Sequence, residues 1–177
     1  MPFLGIDQSL QAAGLCLLND KGFAMSLETV DTKGQRGAER LYTIRERVRS
    51  FLPGTACVAM EGYSYDSTSR HFDLGEVGGV IKLLLYEQVI PLVIVAPVAL
   101  KKFATGNIRA SKEDMCLAAC VHDDNQADAF FLATIARHMG QNTSPNVRAQ
   151  LEVLQQLRHP VAATPKRRVR RLLKNAI

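Results

Sequence analysis

Residues 3–31 read FLGIDQSLQAAGLCLLNDKGFAMSLETVD. Three short apolar or alternating runs, 3–9, 12–19 and 23–31, are separated by Gly, Asn and Asp. That is the pattern of successive strands, with a tight turn at Asn19-Asp20-Lys21-Gly22. One residue is out of keeping with its surroundings. Asp7 stands inside the first apolar strand, where a carboxylate is costly unless it is paired or binds a cation.

Downstream the period changes. Leu41, Ile44, Val48 and Phe51 recur at helical spacing over 37–52, and Pro53-Gly54 stops that helix. ACVAME (56–61) is a buried strand ending in Glu61. A loop rich in Ser, Thr and Tyr (62–70) leads into a helix from Leu74 to Gln88, and PLVIVA (91–96) is another core strand. Pro97 opens a helix that ends near Thr105-Gly106. Helices over 111–121 and 125–139 follow, with one more predicted within 144–157. The order is that of an α/β fold, a mixed sheet flanked by helices.

The chain has 177 residues, enough for one domain with a proper core. We expect a body over 1–140 and a C-terminal helical and basic extension over 141–177. No apolar run approaches the roughly 18–20 residues that span a bilayer. MPFLGIDQ lacks the basic start and cleavage site of a signal peptide, so the expected location is the cytoplasm. Cys16, Cys57, Cys116 and Cys120 lie in apolar stretches without a CxxC pair, and are read as buried free thiols in a reducing compartment. The net charge of +5 is uneven: 141–177 holds eight Lys or Arg against one Glu. A basic end of this kind is either a solvated terminus or a track for phosphates.

DDNQADAF at 123–130 carries three aspartates in six positions. One is explained by helix capping, in which Asp123 or Asp124 accepts backbone N–H bonds. Capping does not explain Asp128, which lies one helical turn beyond Asp124 on the same face. Asp7 and Glu61 at strand ends with Asp124 and Asp128 on a helix make an all-oxygen set. No His or Cys accompanies them, so the set suits Mg²⁺ or Mn²⁺ and not zinc. Two such ions about 4 Å apart activate a water and stabilise a leaving oxygen in phosphodiester cleavage.

FLGIDQS, AMEGYSYDSTSRHFDLGEVGGVIKLLL, VAPVALKKFATGNIRASKEDM and DDNQADAFFLA, in this order, resemble the RuvC family of Holliday-junction resolvases. The EGY and KKFATG variants are most similar to phage and prophage members, which implies a bacterial or phage-infected cell. The resemblance implies a ribonuclease-H-like, mixed five-stranded sheet flanked by helices, acting as a homodimer on branched DNA, a four-way junction. It implies Asp7, Glu61, Asp124 and Asp128 as metal ligands for two Mg²⁺ per site, with Mn²⁺ able to substitute. The third acidic position stays open: Asp124 is the choice, Asn125 sits where the housekeeping spacing would fall, and Asp123 is a further candidate. Lys101, Lys102, Arg109 and Lys112 match basic positions that contact DNA, Lys112 close to the scissile phosphate. Tyr63 and Tyr65, with Phe72, occupy the loop that places an aromatic in the opened junction centre, Tyr65 being preferred. Phe72 has a second reading, as a core anchor of its helix. Gly75, Gly78 and Gly79 point either to close packing against a second copy or to close approach to the sheet.

The activity implied is metal-assisted hydrolysis leaving a 5′-phosphate and a 3′-hydroxyl. Two alternatives keep the fold: an endonuclease for forks and flaps, and a junction-binding protein that does not cut. A sugar-kinase or actin-like ATPase also opens with FLGID, but needs a second Gly-rich phosphate hairpin and a longer chain than this one.

Overall fold

A computed structural model describes residues 1–62 and 71–159, the side chain of His71 excepted. Five strands, β1 (Phe3–Asp7), β2 (Ala12–Leu18), β3 (Ala24–Asp31), β4 (Cys57–Glu61) and β5 (Leu92–Val95), form one sheet in the order β3-β2-β1-β4-β5. Consecutive β1, β2 and β3 pair antiparallel, while β4 and β5 add in parallel on the other side of β1. This is the mixed five-stranded sheet expected. The β2–β3 turn closes as read: the Asn19 carboxamide oxygen accepts from the N–H groups of Lys21 and Phe23, both at 3.0 Å. Gly22 takes φ 90°, a left-handed conformation that glycine adopts without penalty.

Strand alternation divides the core in two. Leu4, Ile6, Leu15, Val58 and Met60 face α1 (Gly37–Phe51) and α2 (His71–Glu87), meeting Ile44, Val48, Val77, Ile81, Leu84 and Leu85. Phe3, Cys57, Ala59 and Val95 face the other way. There they meet α3 (Pro97–Thr105), α4 (Lys112–Ala119), α5 (Asp124–Gly140) and α6 (Arg148–Arg158). β1 lies at the centre, buried along its whole length, which puts Asp7 at the end of a strand covered on both faces.

The helix boundaries have local causes. Pro97 occupies the first turn of α3, and Gly106 closes it at φ 79°. Ser111 and Asp114 form a reciprocal capping box at the start of α4. α2 begins at His71, three residues before the expected Leu74. α6 buries Val153 and Leu154 in the same core as α3 and α5. Its Glu152 accepts from the Lys102 ammonium at 2.8 Å.

α5 reaches the sheet through glycine and alanine. A β-carbon on Gly5 would fall 2.0 Å from the Ala129 carbonyl oxygen, and one on Gly14 would fall 2.0 Å from that of Asn125. Backbone therefore meets backbone, with Ala129 and Ala133 fully buried at the crossing. The thiol expectation holds for Cys16 and Cys57; Cys116 is half-buried and Cys120 exposed, because α4 lies on the outside of the helical layer.

Candidate active site

Four acids meet where β1 and β4 end beneath the first turns of α5. Ile6 is paired with Met60, so the next residues, Asp7 and Glu61, emerge side by side from parallel strands. Both follow the alternation of Phe3, Cys57 and Ala59, on the face covered by α5. Asp7 is 7 % exposed. Burial pushes its carboxyl well above the ordinary range, and the neighbouring charges of Glu61 and Asp128, a hydrogen bond with Glu61, and the Asp124 charge add to the push.

Glu61 is raised to about 7 by burial and by the charge of Asp128, against the downward pull of its hydrogen bond with Asp7 and the charge of Lys101. Asp128 is raised to about 6 by burial and by Asp124, while Lys101 and Lys112 lower it. A hydrogen bond between two carboxyls requires one of them to carry a proton. Lys112 donates to Asp124, which half neutralises the rim of the cluster.

The aspartates of 123–130 divide their work. Asp123 is the helix cap: its carboxylate accepts from the backbone N–H groups of Asn125 at 2.9 Å and Gln126 at 3.3 Å. It also accepts from the Thr29 hydroxyl of β3 at 2.6 Å. Burial alone would raise its pKa, but these donors more than offset that, and it lies below the usual value. Asn125 turns its own amide to Asp123 at 3.2 Å. Asp124 is the residue one turn from Asp128 that interacts with Asp7, Asp128 and Lys112.

The basic residues also part company. The charge of Lys101 acts on Glu61 and Asp128. Lys102, its chain neighbour, is tied to Glu152 of α6 instead. Arg109 is exposed in the loop between α3 and α4, where its backbone N–H donates to the Asn107 side chain at 2.9 Å. Tyr63 and Tyr65 lie outside the described residues, as does the basic stretch 164–177. Phe72 is 86 % exposed at the start of α2, so it is not a core anchor. A β-carbon on Gly75 or Gly79 would meet open space, so approach to the sheet does not explain these two glycines.

The donor chemistry fits a hard divalent cation, being carboxylate oxygen throughout in a partly desolvated, mutually repelling group. Among the described residues no three acids are yet drawn together around one point. The cluster is an open rim, with the Lys112 ammonium against Asp124 in the place of cationic charge. Three features had no sequence signal beyond residue type: the orientation of Lys101 rather than Lys102 toward the acids, the Thr29–Asp123 bond, and the close approach at Gly5 and Gly14.

The family model described as crossover junction endodeoxyribonuclease RuvC matches residues 3–133. Among solved structures, Thermus thermophilus RuvC is similar, at 25% identity and a TM-score of 0.67 over 81% of this chain and 98% of that one. T. thermophilus RuvC in complex with Holliday junction substrate is similar at 25% identity and a TM-score of 0.67, over 80% of this chain and 94% of that one. No curated protein matches the sequence.

Proposed function

The chain belongs to the crossover junction endodeoxyribonuclease RuvC family, and from that premise we propose that Asp7, Glu61, Asp124 and Asp128 form its active site and hold two Mg²⁺ ions. The enzyme is an endodeoxyribonuclease that resolves four-way junctions as a homodimer. The observation that carries the residue assignment is that Asp7 and Glu61 leave the ends of paired parallel strands on the face covered by α5, whose first turns bear Asp124 and Asp128, so that the acids repel one another. Repulsion of that kind persists in a fold when a cation relieves it.

When bound, the metal ions supply Lewis acidity to the scissile phosphodiester and lower the pKa of the attacking water. Mn²⁺ substitutes for Mg²⁺, because both take oxygen ligands. The chain does the rest. Burial of Asp7 and Glu61 excludes water from the floor of the site. Lys101 offsets the charge of Glu61 and Asp128, and Lys112, beside Asp124, would steady negative charge developing on a phosphate oxygen. Arg109, together with Tyr63 and Tyr65, extends the DNA contact. Hydrolysis leaves a 5′-phosphate and a 3′-hydroxyl.

The dimer contact falls on α2, whose Phe72, Leu83 and Tyr86 are exposed beside the open glycines 75 and 79, with Val89 exposed just past its end. The extension over 141–177 then has two parts, α6 docked on the nuclease core and a basic end that tracks phosphates. Among the described residues no helix is long and apolar enough to cross a membrane, and we place the enzyme with its DNA in the cytoplasm.

Nicking of a mobile four-way junction, against linear duplex, fork and flap, with Mg²⁺ and for wild type and Asp7→Asn, tests the reading. Paired symmetric nicks near the crossover, lost in the variant, are expected. Tight junction binding by a wild-type protein that nicks nothing with any divalent ion would overturn it.

A further inference from the structure

Gln8 follows Asp7 but turns to the opposite side of the sheet, continuing the alternation of Leu4 and Ile6 toward α1 and α2. It is 6 % exposed. Its Nε2 donates to the backbone oxygen of Glu61 at 2.8 Å. That bond fixes the amide, since exchanging its ends would set two carbonyl oxygens against each other. Oε1 is consequently directed elsewhere, and among the described residues it has no hydrogen-bond partner. Buried amide acceptors are ordinarily satisfied, and one left over beside an active site calls for a donor.

The space beside it has the size and walls for such a donor. Gln8 lines a cavity of about 320 Å³ together with Met60, Glu61, Gly62, Lys82, Ile94 and Ala96. That volume is in the range of small-ligand sites. Ile94 and Ala96 present apolar surface suited to the flat faces of a base, and Lys82 brings positive charge. Glu61 lines this cavity at the end of β4 and turns its carboxylate to the cluster on the other face of the sheet, so the two sites share that residue.

We propose that Gln8 is a specificity-determining residue, whose Oε1 accepts a hydrogen bond from an N–H of a DNA base seated in this cavity next to the scissile phosphate. The assignment rests on the active site proposed above. The amide pinned by Glu61 acts as a fixed acceptor: it welcomes a base that offers N–H at that point and leaves one that offers a lone pair facing a lone pair. Phosphate contacts hold the junction whatever its sequence, whereas this contact discriminates.

The test measures nicking rates on four-way junctions carrying each of the four bases at each position flanking the cut. Wild type is expected to favour one base at one position by about tenfold or more, and to lose that preference when the base is replaced by an analogue with its N–H removed or methylated. Gln8→Leu and Gln8→Met are expected to cut favoured and disfavoured junctions within about twofold of one another, and to be indifferent to the analogue. An unchanged base profile in either variant would overturn the proposal, as would a wild type that nicks junctions with no base preference or ignores the analogue. The analogue arm uses the unaltered protein, so a variant that fails to fold does not remove the test. A wild type that nicks no junction at all overturns the active-site reading and this inference together, an outcome distinct from nicking without preference.

Discussion

Gly5 of the central strand lies so close to Ala129 of α5 that a β-carbon there would fall 2.0 Å from the Ala129 carbonyl oxygen and 2.3 Å from the Ala133 amide nitrogen. The same contact recurs at Gly14 against Asn125. These two glycines let α5 settle on the sheet deeply enough for Asp124 and Asp128 to interact with Asp7 and Glu61.

Gly5→Ala is therefore expected to damage both stability and chemistry. Neither neighbour is a flexible side-chain end, so the helix itself must lift. Overpacking against backbone costs about 3 kcal/mol or more, to be read as a lowered urea midpoint. Any folded fraction should nick junctions poorly, because the helical acids move away from Asp7. Native stability and native activity in this variant would show that the contact is not what positions the site.

Asp7→Asn removes the most buried carboxyl of the cluster. The metal-free protein is expected to gain stability, with a melting temperature higher by about 3–6 °C, since the burial cost of an ionisable carboxyl and then its repulsion with Glu61 and Asp128 are relieved. Nicking should fall by roughly 1000-fold. Junction binding should persist or tighten, because a negative charge near the phosphates has gone. Binding lost in step with cleavage would argue against a catalytic role for Asp7.

The raised acids also set a pH dependence. Glu61 moves from 4.5 to about 7 and Asp128 from 3.8 to about 6. Between those limits the folded state holds more protons than the unfolded chain, so metal-free stability falls as pH rises through that range. His138, lowered by burial, pulls the other way below its ordinary value of 6.5. The increment produced by Mg²⁺ isolates the carboxylates from that histidine. The melting temperature is expected to rise on Mg²⁺ addition more at pH 8 than at pH 5.5, because a cation competes with protons for the same oxygens. An increment equal at the two pH values would separate metal binding from these acids.

The strands and the helices were legible because each rests on local pattern. Period two and period 3.6 mark the elements, and an acid within an apolar strand marks Asp7 and Glu61. What was not legible depends on contacts distant in sequence. The helix-cap role of Asp123 depends on Thr29, which holds it there across 94 residues of sequence. Separating Lys101 from Lys102 required the placement of α6, whose Glu152 claims Lys102. Gly5 and Gly14 read only as glycines in strands; their reason lies in α5, more than a hundred residues later. The α2 glycines left two readings in sequence, and empty space around Gly75 and Gly79 favours the one that packs against a second copy.

Lys112 and Lys102 offer the last comparison. Lys112 reaches from α4 to Asp124, its side chain 78% exposed, and its pKa is raised first by that hydrogen bond and then by the Asp124 charge. It stands at the rim of the cluster, where under the proposed site it would compete with a cation for Asp124 and would serve the phosphate with that cation bound. Lys112→Ala should then have two effects of opposite sign. At saturating Mg²⁺ nicking should slow by about 100-fold. The Mg²⁺ concentration giving half the maximal rate should fall by about twofold to fivefold, as expected for loss of an exposed ion pair. Lys102→Ala, which disturbs α6 through Glu152, should leave that half-saturating concentration unchanged. A lysine serving only as a phosphate contact would slow nicking or weaken DNA binding without shifting the Mg²⁺ requirement, and a titration that finds no shift would confine Lys112 to that role.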